Sequence, residues 1–179
     1  IATGPISELT RQMVVQITDR QYVEPLRPAL DLAVAIPKGD RAAVLIEAAA
    51  QLGVDRLIPL ITERSVVEPG KNKQRRFERI ATEAAKQCGR AWMMIIDPPT
   101  RFEALLADAG HDCRLICDLP GDTVQGLQSD RSATSKLTGC ERVLVLVGPE
   151  GGWTDAERTA AAEAEFLNWS FNANVLRVE

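Results

Sequence analysis

Short apolar runs alternate with amphipathic stretches along most of the chain. The amphipathic segments repeat their apolar residues at helical spacing. The predicted strands cover residues 30–36, 56–61, 91–96, 114–117, 142–147 and 167–171. This alternation predicts an α/β fold with a mostly parallel sheet and helices on both faces, and the apolar run VLVLV is typical of a central strand. Because Pro59 cannot donate within a sheet, strand 56–61 is expected at an edge or at a bulge.

Signals at the helix ends define four helices between these strands. Asp40 is the predicted N-cap of the first helix, while Thr100 with Glu103 and Thr154 with Glu157 have the spacing of capping boxes. Glycine ends each of the first three helices. The predicted helices cover residues 40–52, 74–88, 100–110 and 154–166. In the second helix, the residues expected to face the core are Phe77, Ile80, Ala81, Ala84, Ala85 and Cys88.

The first residues do not share this rhythm. A strand is predicted at residues 13–17 without a helix beside it, and Pro25 and Pro28 follow as a boundary. We interpret residues 1–27 as the tail of a small β domain whose earlier strands are absent from the chain, and residues 28–179 as the main domain. Residues 121–140 are polar and predict a long loop. The chain is expected to be cut short at its C-terminus.

Composition limits the function classes. Apolar residues make up 45% of the chain and charged residues 26%, which is typical of a globular protein. No run reaches the roughly 20 apolar residues that span a bilayer, and no signal peptide is evident, so we expect a cytoplasmic protein without a membrane partner. His111, Cys113 and Cys117 resemble metal ligands, but residues four apart on a strand lie about 13 Å apart. The cysteines are therefore expected to be reduced and buried, and no metal is predicted.

One basic cluster occurs despite the net charge of −4. Two interpretations stay open: a solvated helix start, or a surface that contacts RNA phosphates. The cluster consists of Lys71, Lys73, Arg75, Arg76 and Arg79.

A glycine-rich loop, GPEGG at residues 148–152, follows the most apolar strand. In a parallel sheet, ligands bind at the carboxyl ends of the strands, and glycines let the main chain approach them. The loop lacks the Lys-Ser/Thr pair of a phosphate-binding loop and the spacing of a dinucleotide fold. It is either a ligand-contact loop or a tight structural turn. Asn172 and Asn174, which tolerate left-handed backbone, predict a second irregular loop at the same edge.

Several stretches together resemble one known family. GPEGGWTDAE, FNANVLRVE and RFERIATEAAKQCGR, with LIPLITERS and PKGDRAAVLIEAAAQLGVDR, are similar to the RsmE family of 16S ribosomal RNA uridine-N3 methyltransferases, in the SPOUT superfamily. The resemblance covers residues 30–179, and residues 1–27 resemble the end of the family's PUA-like β-barrel. It implies a C-terminal trefoil knot, a homodimer, S-adenosylmethionine as cofactor, and ribosomal RNA or the small ribosomal subunit as partner.

The resemblance also implies which residues form the site. Arg90 and Arg177 are expected to hold RNA or stabilise charge at the base, and Glu179 or Glu83 to orient partners or accept a proton. For Arg90 and Glu83 a surface salt bridge is the alternative. The expected cofactor walls are Gly148, Glu150, Gly151 and Gly152; Phe171, Asn172, Val175, Leu176 and Arg177; and Asp118, Leu119 and Pro120.

Some positions depart from the family pattern. Asn172 replaces a usual glycine and Asn174 a usual basic residue, while Ala48 and Gln51 stand where Lys and Glu are common. These departures leave two alternatives open: a SPOUT methyltransferase with another RNA target, or a non-catalytic RNA- or ribosome-binding protein of this fold. A ligand-binding α/β domain of another kind does not explain several motifs in family order.

Overall fold

The N-terminal residues form two short antiparallel strand pairs. The computed structural model describes residues 1–9, 13–107, 109–118 and 137–170. Strand β1 (Ala2–Thr3) pairs with β4 (Asp19–Arg20), and β2 (Ile6–Leu9) pairs with β3 (Met13–Val15). The predicted strand 13–17 therefore ends at Val15, and its partner strand was not predicted. The division at residue 27 stays a prediction.

The rest of the described chain is built on a parallel sheet. Its order is β11-β9-β10-β5-β6-β7, with β8 pairing to β6 further along, and every pair is parallel. The predicted parallel sheet is thus confirmed. All strands run in the same direction, from one edge, called here the amino edge, toward the opposite carboxyl edge; β7 lies beside the start of β6 and β8 beside its end. The strands are β5 (Ala29–Val34), β6 (Arg56–Ile61), β7 (Ile95–Ile96), β8 (Thr100–Arg101), β9 (Cys113–Cys117), β10 (Arg142–Val147) and β11 (Leu167–Trp169).

Helices cover both faces of the sheet, as predicted. On one face α1 and α2 bury Ile46 and Phe77 against strand residues such as Leu57. On the other, α3 and α4 pack around Leu144 and Trp153. The helices are α1 (Arg41–Leu52), α2 (Lys71–Cys88), α3 (Phe102–Leu106) and α4 (Asp155–Glu163). Within the described residues, none of these helices combines the length and apolar character needed to cross a membrane.

Helix ends agree with the sequence in part. Thr154 and Glu157 form the predicted capping box, and Gly53 and Gly89 end α1 and α2 with positive φ angles of 98° and 71°. The box predicted at Thr100 is wrong, because Thr100 lies in β8 and its hydroxyl donates to the carbonyl of Pro98. Helix α3 is accordingly only five residues long. Asp40 occupies the N-cap position without a side-chain capping bond.

One prediction about strands and one about the core are wrong, and a third is right only in part. Only Ile95 and Ile96 of the run 91–96 form a strand. Strand β6 is interior rather than at an edge, but the pairing beside it is interrupted at Pro59, between Leu57, which pairs with β7, and Leu60, which pairs with β8. The amide of Asp97 donates to the carbonyl of Leu57, so every second residue of β6, Pro59 included, directs its main-chain groups toward β7 and β8. Beside Pro59 the chain between β7 and β8 does not pair with β6, so no amide donor is needed from the proline. Cys88 is exposed instead of buried, since it lies at the end of α2.

Candidate functional site

The glycine loop lies at the carboxyl edge, directly after β10. Trp153, only 1% exposed, packs its indole against Gly148, where a Cβ atom would come within 2.8 Å of the ring. The indole Nε1 donates to the carbonyl of Cys117 at 2.8 Å. Glycine at position 148 therefore lets Trp153 connect this loop to the end of β9. The ends of β9 and β10 are thus held side by side, where one ligand could contact both.

The second half of the loop is a tight turn. Gly152 has a φ of 69°, a left-handed conformation that costs other residues about 1 kcal/mol or more, and its amide donates to the carbonyl of Pro149 at 2.8 Å. Gly151 differs, because a Cβ atom there would meet only the Arg64 side chain at an ordinary 3.5 Å. The described structure thus requires glycine at 148 and 152, and leaves the backbone at Gly151 open to contact from outside.

Two carboxylates flank the loop. Glu150 pairs with Arg41, the first residue of α1, so its side chain ties the loop to the helix that follows β5. Asp118, the residue after β9, is nearly buried and accepts from the Arg158 Nε of α4 at 2.6 Å. Burial, together with the charge of Asp118, raises the pKa of the neighbouring Cys117 thiol to about 12. Cys117 therefore stays protonated at neutral pH and supplies no nucleophile at this edge.

The basic cluster lies at the start of α2, the helix that follows the carboxyl end of β6. This helix runs back along the sheet: the Gln74 amide near its start donates to Ile96, which is level with Leu57 of β6, while Arg90 beyond its end bonds to residues before β6. All five basic side chains are exposed, and no carboxylate in the described part of the chain pairs with them. Positive charge near a helix N-terminus opposes the helix dipole, so these residues gain little from the fold itself.

Two predicted catalytic residues lie away from the loop. Arg90 is at the amino edge, where its guanidinium donates to the carbonyls of Ala50, Gly53 and Val54 and to the Asp55 carboxylate. It thereby binds the C-terminal carbonyls of α1, which accounts for it as a structural residue. Glu83 is exposed on α2 and pairs with Lys86 at 3.3 Å, the salt bridge that the sequence left as an alternative.

The remaining predicted site residues cannot be located. They lie outside the described residues, so their roles stay predictions. They are Leu119, Pro120, Phe171, Asn172, Val175, Leu176, Arg177 and Glu179. The departures Asn172 and Asn174 and most of the predicted loop 121–140 lie outside as well.

A buried charge cluster occupies the amino edge instead. The Asp31 carboxylate, 1% exposed, accepts from His111 at 2.9 Å, Arg142 at 2.8 Å and Arg56 at 3.2 Å. Burial alone would raise the pKa of Asp31, but the hydrogen bonds from His111 and Arg142 and the nearby Arg56 charge together lower it. His111 is thus directed at a carboxylate rather than at the cysteines, and the described residues contain no group of three or more potential metal ligands.

The sequence pattern did not identify three side chains that shape the loop: Arg64, Trp153 and Arg158. The sequence held a signal for Trp153, because a glycine just before a tryptophan leaves room for the indole ring to pack against the main chain. Arg64 lies in the stretch LIPLITERS, and its guanidinium donates to the Gly151 carbonyl at 2.7 Å. The pairing of Arg158 with Asp118 joins residues 40 apart and has no local signal.

Comparisons with known proteins agree on one family. Residues 24–179 match the model of the RNA methyltransferase domain. The chain is 36% identical over 172 residues to ribosomal RNA small subunit methyltransferase E of Synechocystis, and 29% identical to that of Bacillus subtilis. It covers 54% and 66% of these relatives, so it spans between about half and two thirds of their length.

Solved structures show the same likeness. A Legionella pneumophila methyltransferase in complex with bound SAM superposes with a TM-score of 0.76 at 28% identity, covering 97% of this chain and 71% of that one. Ribosomal RNA small subunit methyltransferase E of Neisseria gonorrhoeae, bound to S-adenosyl methionine, gives 0.68 at 26% identity over 85% of this chain and 61% of that one.

Proposed function

The chain belongs to the RNA methyltransferase domain family, and we propose that its intact protein transfers a methyl group from S-adenosylmethionine to N3 of a uridine in small-subunit ribosomal RNA. The relatives named for small-subunit ribosomal RNA methylation support the RNA class. The two similar structures that hold the cofactor support its identity. The choice of uridine N3 rests on the sequence resemblance.

One observation carries this proposal: the glycine loop at the carboxyl edge is held by Trp153 on its buried side and is exposed at Gly151. Trp153 packs against Gly148, Gly152 has a left-handed φ, and Gly151 is exposed, with its carbonyl accepting from Arg64. A ligand can therefore approach the main chain closely, as S-adenosylmethionine would when bound by backbone groups. Asp118 and Glu150 lie at the same edge, where Arg158 and Arg41 hold their carboxylates in place.

On this proposal the residues share a simple task. Gly148, Glu150, Gly151, Gly152 and Asp118 hold the cofactor, whose sulfonium supplies the methyl group and the driving force. The predicted residues 119–120 and 171–177 complete the walls, in the knot that the family resemblance implies. The protein contributes position and charge, by bringing N3 of the base into line with the methyl group and by stabilising charge on the base. As the N–C bond forms and the S–C bond breaks, the N3 proton must leave; Glu179 is the candidate to accept it, and Arg177 the candidate to stabilise the negative charge on the base.

The basic cluster is the proposed RNA surface. Its five exposed cations lie in the first half of α2, the helix that follows the carboxyl end of β6, and have no acidic partner among the described residues, so phosphate groups are the natural counterions. Residues 1–27 stay proposed as the tail of a small PUA-like β domain, and the proposal assigns them no contact with RNA. A homodimer that completes the site across its interface is a further part of the proposal, carried by the resemblance alone.

The non-catalytic alternative receives less support from the described residues. Ala48 and Gln51, two of the departures from the family pattern, lie in the second half of α1, near the amino edge. The Gln51 amide bonds to Glu47 and Gln87, and neither departure touches the glycine loop. Their changes therefore do not alter the cofactor edge.

Calorimetric titration of S-adenosylmethionine into the intact protein tests the proposal. We expect saturable binding, followed by methyl transfer to small ribosomal subunits or 16S ribosomal RNA, with 3-methyluridine detected by mass spectrometry of the nucleosides. Cofactor binding without methyl transfer to any ribosomal substrate would favour another RNA target. Absence of cofactor binding would overturn the enzyme assignment and leave an RNA-binding protein of this fold.

Reversing charge in the basic cluster tests the RNA surface separately. The double variant Lys73→Glu, Arg76→Glu should retain the wild-type Kd for the cofactor and raise the KM for RNA by at least about tenfold, since each lost phosphate contact also removes counterion release. Its dependence on salt concentration should be shallower than that of the wild type. An unchanged KM for RNA would assign the cluster to a solvated helix start.

A further inference from the structure

The segment after β6 folds directly onto the glycine loop. Arg64 extends its side chain along Gly151, and its Nη1 donates to the carbonyls of Gly151 at 2.7 Å and Trp153 at 3.4 Å. These two carbonyls stand on either side of Gly152, the residue with the left-handed φ. One guanidinium group therefore bonds to the main chain on both sides of Gly152.

Arg64 projects from a firmly held base. The amide of Glu63 donates to Oε1 of Glu157 at 2.9 Å, and Glu157 is the buried partner in the capping box of α4. The Ser65 hydroxyl accepts from the Thr62 amide at 2.9 Å, and the Ser65 amide donates to the Thr62 carbonyl. The backbone on both sides of Arg64 is thus fixed relative to the loop, so the guanidinium reaches its acceptors at a small further cost in entropy.

The contact is unusual for an exposed arginine. No carboxylate in the described part of the chain pairs with Arg64, which directs its charge at two main-chain carbonyls instead. A hydrogen bond from a charged donor is typically worth about 1.5–3 kcal/mol, although exposure to water reduces that value. Because Arg64 is exposed and belongs to none of the hydrophobic clusters, the core does not depend on it. The conformation of the turn does, since glycine adopts either sign of φ with equal ease.

We propose that Arg64 is a positioning residue for the cofactor: by holding the carbonyls of Gly151 and Trp153, it keeps the Gly151–Gly152 backbone in the shape that binds S-adenosylmethionine. The proposal rests on the proposed function, since it assumes that this loop contacts the cofactor. Arg64 acts through the backbone of the turn and takes no part in the chemistry.

Substitution in the intact protein tests this role. Arg64→Ala should raise the Kd for S-adenosylmethionine about tenfold, which corresponds to about 1.4 kcal/mol, with the melting temperature of the ligand-free protein unchanged. The KM for the cofactor should rise in step, while kcat at saturating cofactor and the KM for RNA stay near wild type. Arg64→Lys should give an intermediate Kd, because a lysine keeps the positive charge but lacks the fixed planar geometry of the guanidinium group. Arg20→Ala, an exposed arginine in β4, is the matched control.

A second measurement needs no cofactor. Amide hydrogen exchange in a peptide covering residues 148–154 should be faster in Arg64→Ala than in the wild type or in Arg20→Ala, and low, non-denaturing concentrations of guanidinium should partly restore both the protection and the cofactor affinity. Faster exchange with cofactor binding as expected would support the proposal.

Three results would overturn it. Unchanged exchange would show that Arg64 does not order the turn, whatever the cofactor affinity. A raised KM for RNA with an unchanged Kd for the cofactor would make Arg64 an RNA contact. If neither the wild type nor the variant binds S-adenosylmethionine, the proposed function fails, and faster exchange in the variant would leave Arg64 only the structural part of its role.

Discussion

The two edges of the parallel sheet are held together by different kinds of contact. The amino edge gathers ionisable side chains: a buried aspartate with a histidine and two arginines around it, and Arg90 bonded to the end of α1. The carboxyl edge has ion pairs as well, Arg41–Glu150 and Arg158–Asp118, and its Cys117 thiol is held protonated. Its glycine loop, however, consists of main chain, with Trp153 and Arg64 holding it in place.

This difference reverses the usual way of finding a site. Perturbed ionisable groups and buried histidines are common signs of an active centre. Here they stabilise the ends of helices and strands, and each charge has its partner at the amino edge. The proposed site carries its function in backbone geometry, which suits a reaction whose cofactor supplies the chemistry.

The largest expected effect is on stability, because the amino edge is expected to stabilise the fold. Asp31→Ala removes the acceptor shared by His111, Arg142 and Arg56, and we expect a loss of about 3 kcal/mol in the free energy of unfolding. That is the low end for a disrupted buried ion pair, because both arginines can reach solvent. Urea denaturation measures the loss. Glu47→Gln, on the exposed side of α1, should change stability by less than about 0.5 kcal/mol.

The same variant tests whether the two edges are independent. At temperatures where Asp31→Ala remains folded, its Kd for S-adenosylmethionine should equal that of the wild type. A large change in that Kd at full folding would mean that the amino edge takes part in the site.

Glycine substitutions divide the carboxyl edge into its parts. Gly148→Ala forces a methyl group against the Trp153 indole, and we expect a loss of about 1–3 kcal/mol in unfolding free energy together with weaker cofactor binding. Gly151→Ala meets only ordinary contacts in the chain, so its stability should match that of the wild type. Denaturation and calorimetry on the pair separate the loop's scaffold from its ligand-contact surface. Equal stability of the two variants would contradict the packing described for Gly148.

Much of the architecture follows from local pattern. Alternating apolar runs and helix-end signals predicted the parallel sheet, the capping box of α4 and the ends of α1 and α2, because each depends on neighbours within a few residues. The errors arose where distant contacts decide. Residues 91–94 have strand-like composition but pair with no strand, and Thr100 joins β6 instead of capping α3.

The site was predictable only up to its main chain. The glycines and their place after a buried strand indicate a ligand-contact loop, and three motifs in order indicate the family. Which side chains hold the loop could not be predicted, because Arg64 and Gly151 are 87 residues apart and meet only through the sheet. Arg90 shows the converse: it lies in a family-like motif, yet its environment at the amino edge depends on how α1 ends.

Acid should lower the stability that the amino edge provides through Asp31. The lowered pKa of Asp31 in the folded protein means that its stabilising contribution is present above the unfolded-state pKa of about 4 and is lost as pH falls through it toward the folded value. The unfolding free energy of the wild type should therefore drop below about pH 5 more steeply than that of Asp31→Asn. Urea titrations between about pH 3 and pH 7 compare the slopes. Parallel slopes would show that Asp31 has the same pKa in both states.

The thiols give the mildest test, because the proposed reaction does not use them. Cys117, at the carboxyl edge, has a pKa of about 12 owing to burial and the charge of Asp118, whereas Cys88 is exposed at the end of α2. Only the thiolate reacts, and at pH 8 roughly one part in 10⁴ of a thiol with that pKa is ionised. Iodoacetamide at pH 8 should therefore modify Cys88 at least about 100-fold faster than Cys117, as followed by peptide mass spectrometry with Cys88→Ser to confirm the assignment. Comparable rates would mean that the end of β9 opens readily, and the carboxyl edge would then lack the rigid backbone on which its proposed function depends.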